Sequence, residues 1–237
     1  MDEKSLKTSM GQRIAIIIIA ILLLGGTFLT YLFVVMGNSG SSSSTVSSEA
    51  EINRLTEEYD AKEQEINDAA KPLSDKYFSG FVGYKSEVKA YNSATANSVG
   101  LEVKDLKTGT GKVLEEGDTN YLAYYLGWCA DGSIFDSSFN DNEDPTSLKV
   151  PLDPSVGLIE GWNQGVVGMK IGGVRQLTIS SELAYGDTRD DVCGAANSPL
   201  KFIILAIDPD ENLAKLNDEL DEIYYQLYQA YYASYGY

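Results

Sequence analysis

The chain contains no histidine among its 237 residues, and this absence narrows the chemistry that it can perform. Without imidazole there is no Ser-His-Asp or Cys-His catalytic group, no histidine-ligated zinc and no histidine pH switch. Only two cysteines occur, which is too few for a cysteine-only zinc site or a disulfide-rich scaffold. The sequence therefore predicts a function that needs no metal and no cofactor.

Positive charge is also scarce, since 18 Lys and Arg stand against 35 Asp and Glu and give a net charge of −17. A surface this acidic repels nucleic-acid backbones and anionic lipid headgroups, so we expect no nucleic-acid partner. The length and the 43% hydrophobic content are sufficient for one ordinary domain with appendages.

One long apolar run stands at residues 14–36 and contains no charged residue. As a helix it would extend roughly 35 Å, enough to cross a hydrocarbon core about 30 Å thick. A cleaved signal peptide is the alternative, but its apolar region is normally about 7–15 residues long and ends at a small-residue cleavage site. The run is longer than that, and the residues after it match a cleavage site poorly. We therefore interpret residues 14–36 as a single-pass transmembrane anchor.

The charges around this run predict its orientation. Lys4, Lys7 and Arg13 precede the run, and glycines and serines follow it. By the positive-inside rule, residues 1–13 form a cytoplasmic tail and the chain after Met36 lies on the outer side of the membrane. We expect residues 37–48, rich in Gly and Ser, to be a flexible linker.

Two segments with helical patterns flank the centre of the chain, at residues 49–98 and 209–237. Both carry apolar residues at alternating steps of three and four, which is typical of amphipathic helices. Pro72 is expected to break or kink the first segment into two helices. The second segment ends in a tyrosine-rich stretch. The two patterns indicate either that the helices pack on each other or that they mediate self-association.

Residues 99–208 have a different pattern. Short runs rich in β-forming residues alternate with Gly, Asp, Asn and Pro turns, and they include LEVKDL, NYLAYYLGW, LKVPL, VRQLTIS and LKFIILAI. Only the stretch 157–173 has room for a helix, and that helix is short. Many strands without long alternating helices predict an antiparallel α+β domain.

Three blocks of this domain resemble a known family. YYLGWCADGSIFDSSF (124–139), the stretch 157–186 and NSPLKFIILAID (197–208) are similar, in order and spacing, to the FKBP-type peptidyl-prolyl cis-trans isomerases. The resemblance covers about 110 residues, under half of the chain. It implies an antiparallel sheet curled around a short helix, with an apolar cleft that binds proline-containing polypeptides.

The resemblance also implies the residues of that cleft. Those carried over as catalytic are Tyr125, Phe135, Asp136, Trp162 and Tyr185, and those carried over as substrate-binding are Leu148, Leu158, Ile159 and Phe202. Trp162 would form the floor, aromatic and aliphatic side chains the walls, and Tyr185 would donate its hydroxyl to a substrate carbonyl. Asp136 would either orient its neighbours or polarise the twisted amide, and the sequence leaves both roles open.

Such a cleft requires neither a nucleophile nor a metal. Amide resonance gives rotation about an X-Pro bond a barrier of about 18–20 kcal/mol, and an apolar cleft favours the less polar, twisted state. The sequence departs from the family in several places: Leu148 stands where a Phe is common, and the loops at 139–147 and 186–197 are unusual. These departures leave open a protein that binds peptides with little catalysis.

The two cysteines belong to this domain, since Cys129 follows the second predicted strand and Cys193 lies in the altered loop at 186–197. Outside the membrane they could form a disulfide that holds the loop over the pocket, or they could remain free thiols. Three functions are consistent with the sequence: an anchored isomerase for exported or surface proteins, a weakly catalytic chaperone or peptide-binding module, and a structural surface protein.

Overall fold

The structure is a computed structural model, and it describes residues 43–189 and 191–234. The predicted anchor at 14–36 and the predicted tail at 1–13 lie outside these residues. No helix in the described part of the chain is long and apolar enough to span a bilayer.

Four helices and five strands make up the described chain. In chain order they are α1 (Ser43–Phe81), α2 (Ser93–Val99), β1 (Leu101–Lys107), β2 (Leu122–Trp128), β3 (Ile134–Ser137), α3 (Glu160–Gly165), β4 (Val174–Ile179), β5 (Leu200–Ile207) and α4 (Glu211–Ser234). Short 3₁₀ turns occur at Val82–Glu87, Pro154–Val156 and Ser181–Leu183.

The five strands form one antiparallel sheet in the order β1-β4-β5-β2-β3. Strand β5 is central and is apolar at seven of its eight positions, because both faces of the sheet are covered. The edge strand β1 is largely exposed and carries alternating charges, which protect an unpaired edge from further strand pairing. The predicted antiparallel α+β fold is thereby confirmed.

Strand β2 shows how the two faces differ. Tyr124 points away from the short helix α3, and its ring lies 6.1 Å from that of Tyr77 near the end of α1. Tyr125 points to the opposite face, where its ring lies 5.6 Å from that of Trp162 in α3. Successive side chains of a strand alternate between faces, so β2 contributes both to the packing of α1 and to the cluster around α3.

Helix α3 lies unusually close to the sheet because two of its residues are glycines. A Cβ at Gly161 would stand 2.2 Å from Cγ2 of Ile179, and one at Gly165 would stand 2.5 Å from Cδ1 of Leu177. The glycines are four residues apart and share one face of the helix, while Leu177 and Ile179 share one face of β4. This contact fixes the position of Trp162, which follows Gly161 directly.

A buried arginine holds the end of the same helix. Arg175 in β4 is 5% exposed, and its Nη1 donates to the carbonyl oxygens of Gly165 and Val167, each at 2.9 Å. Its Nε donates to Oδ1 of Asp105 at 2.6 Å. A cation at the C-terminal end of a helix satisfies carbonyl groups that have no partner within the helix. Arg175 therefore ties α3 to both β4 and β1.

Two predictions about local structure are wrong. Pro72 lies inside α1, which continues without a break to Phe81, so the expected division into two helices does not occur. Proline removes one backbone hydrogen bond, and the exposed position of Pro72 allows the helix to continue around it. Helix α1 also begins at Ser43, within the segment predicted as the linker.

The second error concerns LKVPL at 148–152, which was predicted to be a strand. The segment makes only isolated bridges, Leu148 with Phe139 and Leu152 with Ala123. Pro151 has no N–H to donate to a ladder, so the run cannot pair continuously. The short strand β3, formed by the IFDS run, pairs with β2 instead and was not expected.

The described chain forms two compact units, of which residues 64–217 are the larger. The other unit contains the remaining described residues of α1 and α4. Within it, Ile52 and Leu55 are buried, and Nζ of Lys62 donates to Oε2 of Glu219 at 2.7 Å. Helices α1 and α4 thus contact each other in this unit, which is the first of the two outcomes predicted from their patterns.

Candidate functional site

Four aromatic rings meet on the face of the sheet that α3 covers. The ring of Phe202 lies 5.3 Å from that of Trp162 and 5.5 Å from that of Phe135, both in edge-to-face geometry. The ring of Tyr125 stands edge-on to Trp162 at 5.6 Å and is tilted against Phe202 at 6.5 Å. Aromatic pairs favour such arrangements at these separations, so the four rings form one continuous apolar surface.

Gly127 in β2 makes room for two of these rings. A Cβ at this position would lie 2.8 Å from Cζ of Phe135 and 2.8 Å from Cε1 of Phe202. Carbon atoms in good contact are separated by about 3.5–4.0 Å, so no larger residue fits without moving the rings. Gly127 therefore belongs to the site, although it was not expected from the sequence.

Tyr125 and Asp136 are joined by a short hydrogen bond. The Tyr125 hydroxyl donates to Oδ2 of Asp136 at 2.6 Å, in the range of charge-assisted bonds between a hydroxyl and a carboxylate. Burial, together with the charge of Asp136, raises the pKa of Tyr125 well above its ordinary value. The phenol keeps its proton, and the bond holds Tyr125 at the edge of the cluster.

The indole N–H of Trp162 makes a buried hydrogen bond beneath the aromatic cluster. Its Nε1 donates to the hydroxyl oxygen of Tyr121 at 3.1 Å, and both residues are 2% exposed. Burial raises the pKa of Tyr121 to about 12, and the indole bond acts in the opposite direction. Tyr121 precedes β2 and was not among the residues expected at the site.

Tyr185 lies at the rim of the cluster and is covered by an arginine. The guanidinium carbon of Arg189 is 5.3 Å from the Tyr185 ring centroid, within the range of a cation–π contact. Arg189 also donates to both carboxylate oxygens of Asp191, at 2.7 Å and 2.8 Å. Burial raises the pKa of Tyr185, the charge of Arg189 lowers it, and the charges of Asp136 and Asp191 raise it further.

Leu158 and Ile159 form the entry to α3. Both are half-buried and pack against the aromatic cluster. Ile159 has extended backbone angles, and its carbonyl oxygen accepts from the backbone N–H groups of Trp162 at 3.0 Å and Asn163 at 3.2 Å. The carbonyl oxygen of Leu158 accepts from Nδ2 of Asn163 at 3.2 Å. These bonds fix the two aliphatic side chains beside the rings.

Leu148 does not join this site, and its assignment as a substrate-binding residue is corrected here. Its backbone N–H donates to Oγ of Ser74 in α1 at 2.9 Å, and it bridges to Phe139, whose ring contacts that of Phe81. Leu148 therefore faces α1 on the other side of the sheet. The segment 148–152 is not a regular strand, so the position carried over from the family does not project into the cleft.

A disulfide joins Cys129 to Cys193, with 5.7 Å between their Cα atoms. It links the end of β2 to the loop that also carries Arg189. Val192 and Cys193 pack against the aromatic cluster. The loop at 186–197 is thus held over the same face of the sheet as the four rings, with the exception of Asp190, which lies outside the described residues.

The structure brings together eight of the nine residues that the sequence singled out, all except Leu148. It adds Tyr121, Gly127 and Arg189, together with Leu183 and Val192, which pack against the cluster. Gly127 carried a usable signal, since a glycine inside a strand pattern often marks a close approach of other groups. Tyr121 and Arg189 carried none, because their roles depend on contacts distant in sequence.

Comparison with known proteins shows which family the sequence resembles. The family model for FKBP-type peptidyl-prolyl cis-trans isomerases matches residues 111–206. The chain is 40% identical over 87 residues to an FK506-binding protein of Neisseria meningitidis serogroup B, a match that covers 37% of this chain and 75% of that protein.

The chain is also similar to two further proteins, over different fractions of their length. The chain is 43% identical over 86 residues to the peptidyl-prolyl cis-trans isomerase Mip of Chlamydia trachomatis, which covers 36% of this chain and 32% of that protein. A peptidyl-prolyl cis-trans isomerase from Pseudomonas syringae, known from a crystal structure, is 26% identical in sequence to this chain. The match has a TM-score of 0.34 and covers 60% of this chain and 93% of that one.

Proposed function

The chain belongs to the FKBP-type peptidyl-prolyl cis-trans isomerases, and from this premise we propose that its aromatic cluster is the site where X-Pro bonds of exported or surface proteins are isomerised. Proteins of this family bind proline-containing peptides and catalyse rotation about the bond before proline. The observation that carries the assignment is the meeting of Trp162, Phe202, Phe135 and Tyr125 on one face of the sheet.

The mechanism that we propose is non-covalent. In the planar amide, resonance separates charge between nitrogen and oxygen, and water stabilises that charge. The twisted transition state has lost this resonance and is less polar, so an apolar cluster that excludes water stabilises it relative to the ground state. Trp162 would contact the proline ring from below, with Phe135, Phe202 and Ile159 around it.

Polar groups at the rim would orient the substrate. Tyr185 keeps its proton at neutral pH, since the ordinary pKa of a tyrosine is about 10 and burial raises it further, so it would donate a hydrogen bond to a substrate carbonyl. Asp136 accepts the hydroxyl of Tyr125. We therefore favour the first of its two roles: it would orient Tyr125, and polarisation of the twisted amide would be secondary.

The charge around the cluster favours basic substrates. Five exposed carboxylates lie within two residues of pocket residues in the sequence, and Nε of Arg189 donates to one of them, Oδ1 of Asp191, at 2.7 Å. The carboxylates are Asp136, Glu160, Glu182, Asp187 and Asp191. Such a rim attracts positively charged segments, and the attraction weakens as salt screens it. Peptides with Lys beside Pro should therefore have a higher kcat/KM than peptides with Glu there, and the difference should shrink at high salt.

The experiment that tests the function is an isomerase assay on X-Pro peptides, together with refolding of a protein whose folding is limited by proline isomerisation. We expect the wild-type chain to accelerate both peptide isomerisation and refolding, and we expect a chain with Trp162→Ala to accelerate neither. Binding of proline peptides without acceleration would instead favour a chaperone or peptide-binding module. Absence of both binding and acceleration would favour a structural surface protein.

We also propose that residues 14–36 anchor the protein in a membrane, with residues 1–13 in the cytoplasm and the isomerase domain outside. The support is the uncharged apolar run and the basic residues that precede it. Protease treatment of intact cells should remove the domain. If the domain is completely protected under conditions in which a secreted control protein is digested, the proposed orientation is contradicted.

Self-association of the chain through the flanking helices would be detected as a doubled mass in sedimentation.

A further inference from the structure

The floor of the proposed pocket contains a hydrogen bond that is shielded from water. Nε1 of Trp162 donates to the hydroxyl oxygen of Tyr121 at 3.1 Å, and both side chains are 2% exposed. An indole has a single polar atom, and when it is buried that atom needs a partner. In this site the partner is a side chain from outside the strands and the helix that supply the other rings.

We propose that Tyr121 is a positioning residue of the isomerase site, which holds the indole of Trp162 in the orientation that receives the proline ring. The proposal rests on the proposed function, because it takes Trp162 to be the floor of the pocket. Tyr121 itself lies beneath the indole and would act through Trp162.

The other contacts of the indole do not select one orientation. Tyr125 and Phe202 stand at interplanar angles of 80° and 75° to Trp162, and these apolar contacts carry no directional polar group. The torsion that turns an aromatic ring is broad and roughly two-fold, so apolar packing alone leaves alternatives. Among the described residues, the bond to Tyr121 is the one that distinguishes the nitrogen edge of the indole from its opposite edge.

Loss of the Tyr121 hydroxyl would leave the indole N–H buried and without an acceptor. The ring could then turn toward a substrate carbonyl or admit water, and both changes would make the pocket more polar. A more polar pocket favours the planar amide over the twisted one, so catalysis should fall. The hydroxyl remains a neutral acceptor at working pH, since burial raises the pKa of Tyr121 to about 12.

The chain contains a matched reporter and a matched control. Trp128, the other of the two tryptophans, donates its Nε1–H to the carbonyl oxygen of Lys89 at 3.1 Å. Tyr124 lies in β2 on the other face of the sheet, is fully buried, and its hydroxyl has no partner within the described chain. Tyr124→Phe therefore removes the same group, one buried hydroxyl, as Tyr121→Phe does, but it breaks no hydrogen bond.

The test compares Tyr121→Phe with Tyr124→Phe in the full-length chain labelled with ¹⁵N-tryptophan. We expect Tyr121→Phe to shift the indole N–H resonance of Trp162, leave that of Trp128 in place, and lower kcat/KM at least about fivefold well below the unfolding temperature. We expect Tyr124→Phe to leave kcat/KM unchanged. A Trp162→Phe chain has no indole N–H, so adding Tyr121→Phe to it should cause no further loss.

The outcomes separate this proposal from the proposed function. An active wild type whose Tyr121→Phe variant keeps full kcat/KM, or whose Trp162 resonance does not move, would overturn the role of Tyr121 alone. An equal further loss in the Trp162→Phe background would also overturn it, because Tyr121 would then act independently of the indole. A wild type without activity on any X-Pro peptide would refute the proposed function and the kinetic role of Tyr121 together.

Discussion

Replacement of Gly127 by Ala tests the arrangement of the aromatic cluster at its most crowded point. The added Cβ would stand 2.8 Å from a ring atom of Phe135 and 2.8 Å from one of Phe202. Since carbon atoms pack comfortably at about 3.5–4.0 Å, each ring would have to retreat by roughly 1 Å. The two rings also contact each other edge-to-face at 5.5 Å, so neither can move independently.

The expected change in stability on Gly127→Ala follows from two opposing effects. Ala in a strand is normally favoured over Gly by about 0.5–1 kcal/mol, because Gly loses more conformational freedom on folding. Overpacking of a filled core costs about 1–3 kcal/mol, so we expect a net loss of stability of roughly 1–2 kcal/mol for Gly127→Ala. Because both displaced rings line the proposed pocket, kcat/KM should fall about tenfold or more.

Gly83→Ala is the matched control for this experiment. A Cβ at Gly83 meets no atom within 4 Å, and the residue lies in the 3₁₀ turn at Val82–Glu87. We expect chemical unfolding and the peptide assay to distinguish the two variants clearly. If Gly127→Ala retains both the stability and the kcat/KM of the wild type, Phe135 and Phe202 do not meet over β2 and the site is assembled differently.

Three further changes probe the surroundings of the site. Replacing Cys129 and Cys193 together by Ser opens a loop of 64 residues and should lower the free energy of unfolding by about 4 kcal/mol on the chain-entropy model, and an unchanged denaturation midpoint would argue against the bridge. Arg175→Met leaves the carbonyls of Gly165 and Val167 and a carboxylate without their partner, so calorimetry should show the free energy of unfolding lowered by about 2 kcal/mol, and a variant as stable as the wild type would rule out this capping role. Arg189→Gln removes the charge that lowers the pKa of Tyr185, so NMR titration should show that pKa rising; activity should stay flat between roughly pH 6 and 9 in both chains, because the phenol is protonated throughout. A pKa of Tyr185 that falls, or does not move, would contradict the stacking of Arg189.

Several residues of the site could be predicted because they stand in motifs whose spacing the fold preserves. Trp162 and Tyr185 lie next to turns and short helices, where a few local residues determine the position of a side chain. Phe202 lies on a central strand, where the register is set by burial on both faces. Tyr125 was carried over with the motif that spans β2, and in the structure its ring contacts that of Trp162.

The wrong and missing assignments have a common physical cause. Leu148 was assigned to the site from its position in the family resemblance. Its segment pairs only through isolated bridges, and such pairing does not fix the face toward which each side chain points. Pro72 was expected to break or kink the helix because proline lacks a backbone N–H, whereas tertiary packing stabilises α1 on both sides of it. Tyr121 became part of the site only through a hydrogen bond to a residue 41 positions away.

The most direct test of the account compares Phe135→Ala with Asp136→Asn in one X-Pro peptide assay on the full-length chain, with folding checked by circular dichroism. Phe135→Ala removes a wall of the apolar cluster, while Asp136→Asn keeps the shape and removes one charge. If the apolar environment dominates catalysis, Phe135→Ala should lower kcat/KM about tenfold or more, and Asp136→Asn should lower it less. An active wild type whose Phe135→Ala variant is equally active would contradict the account.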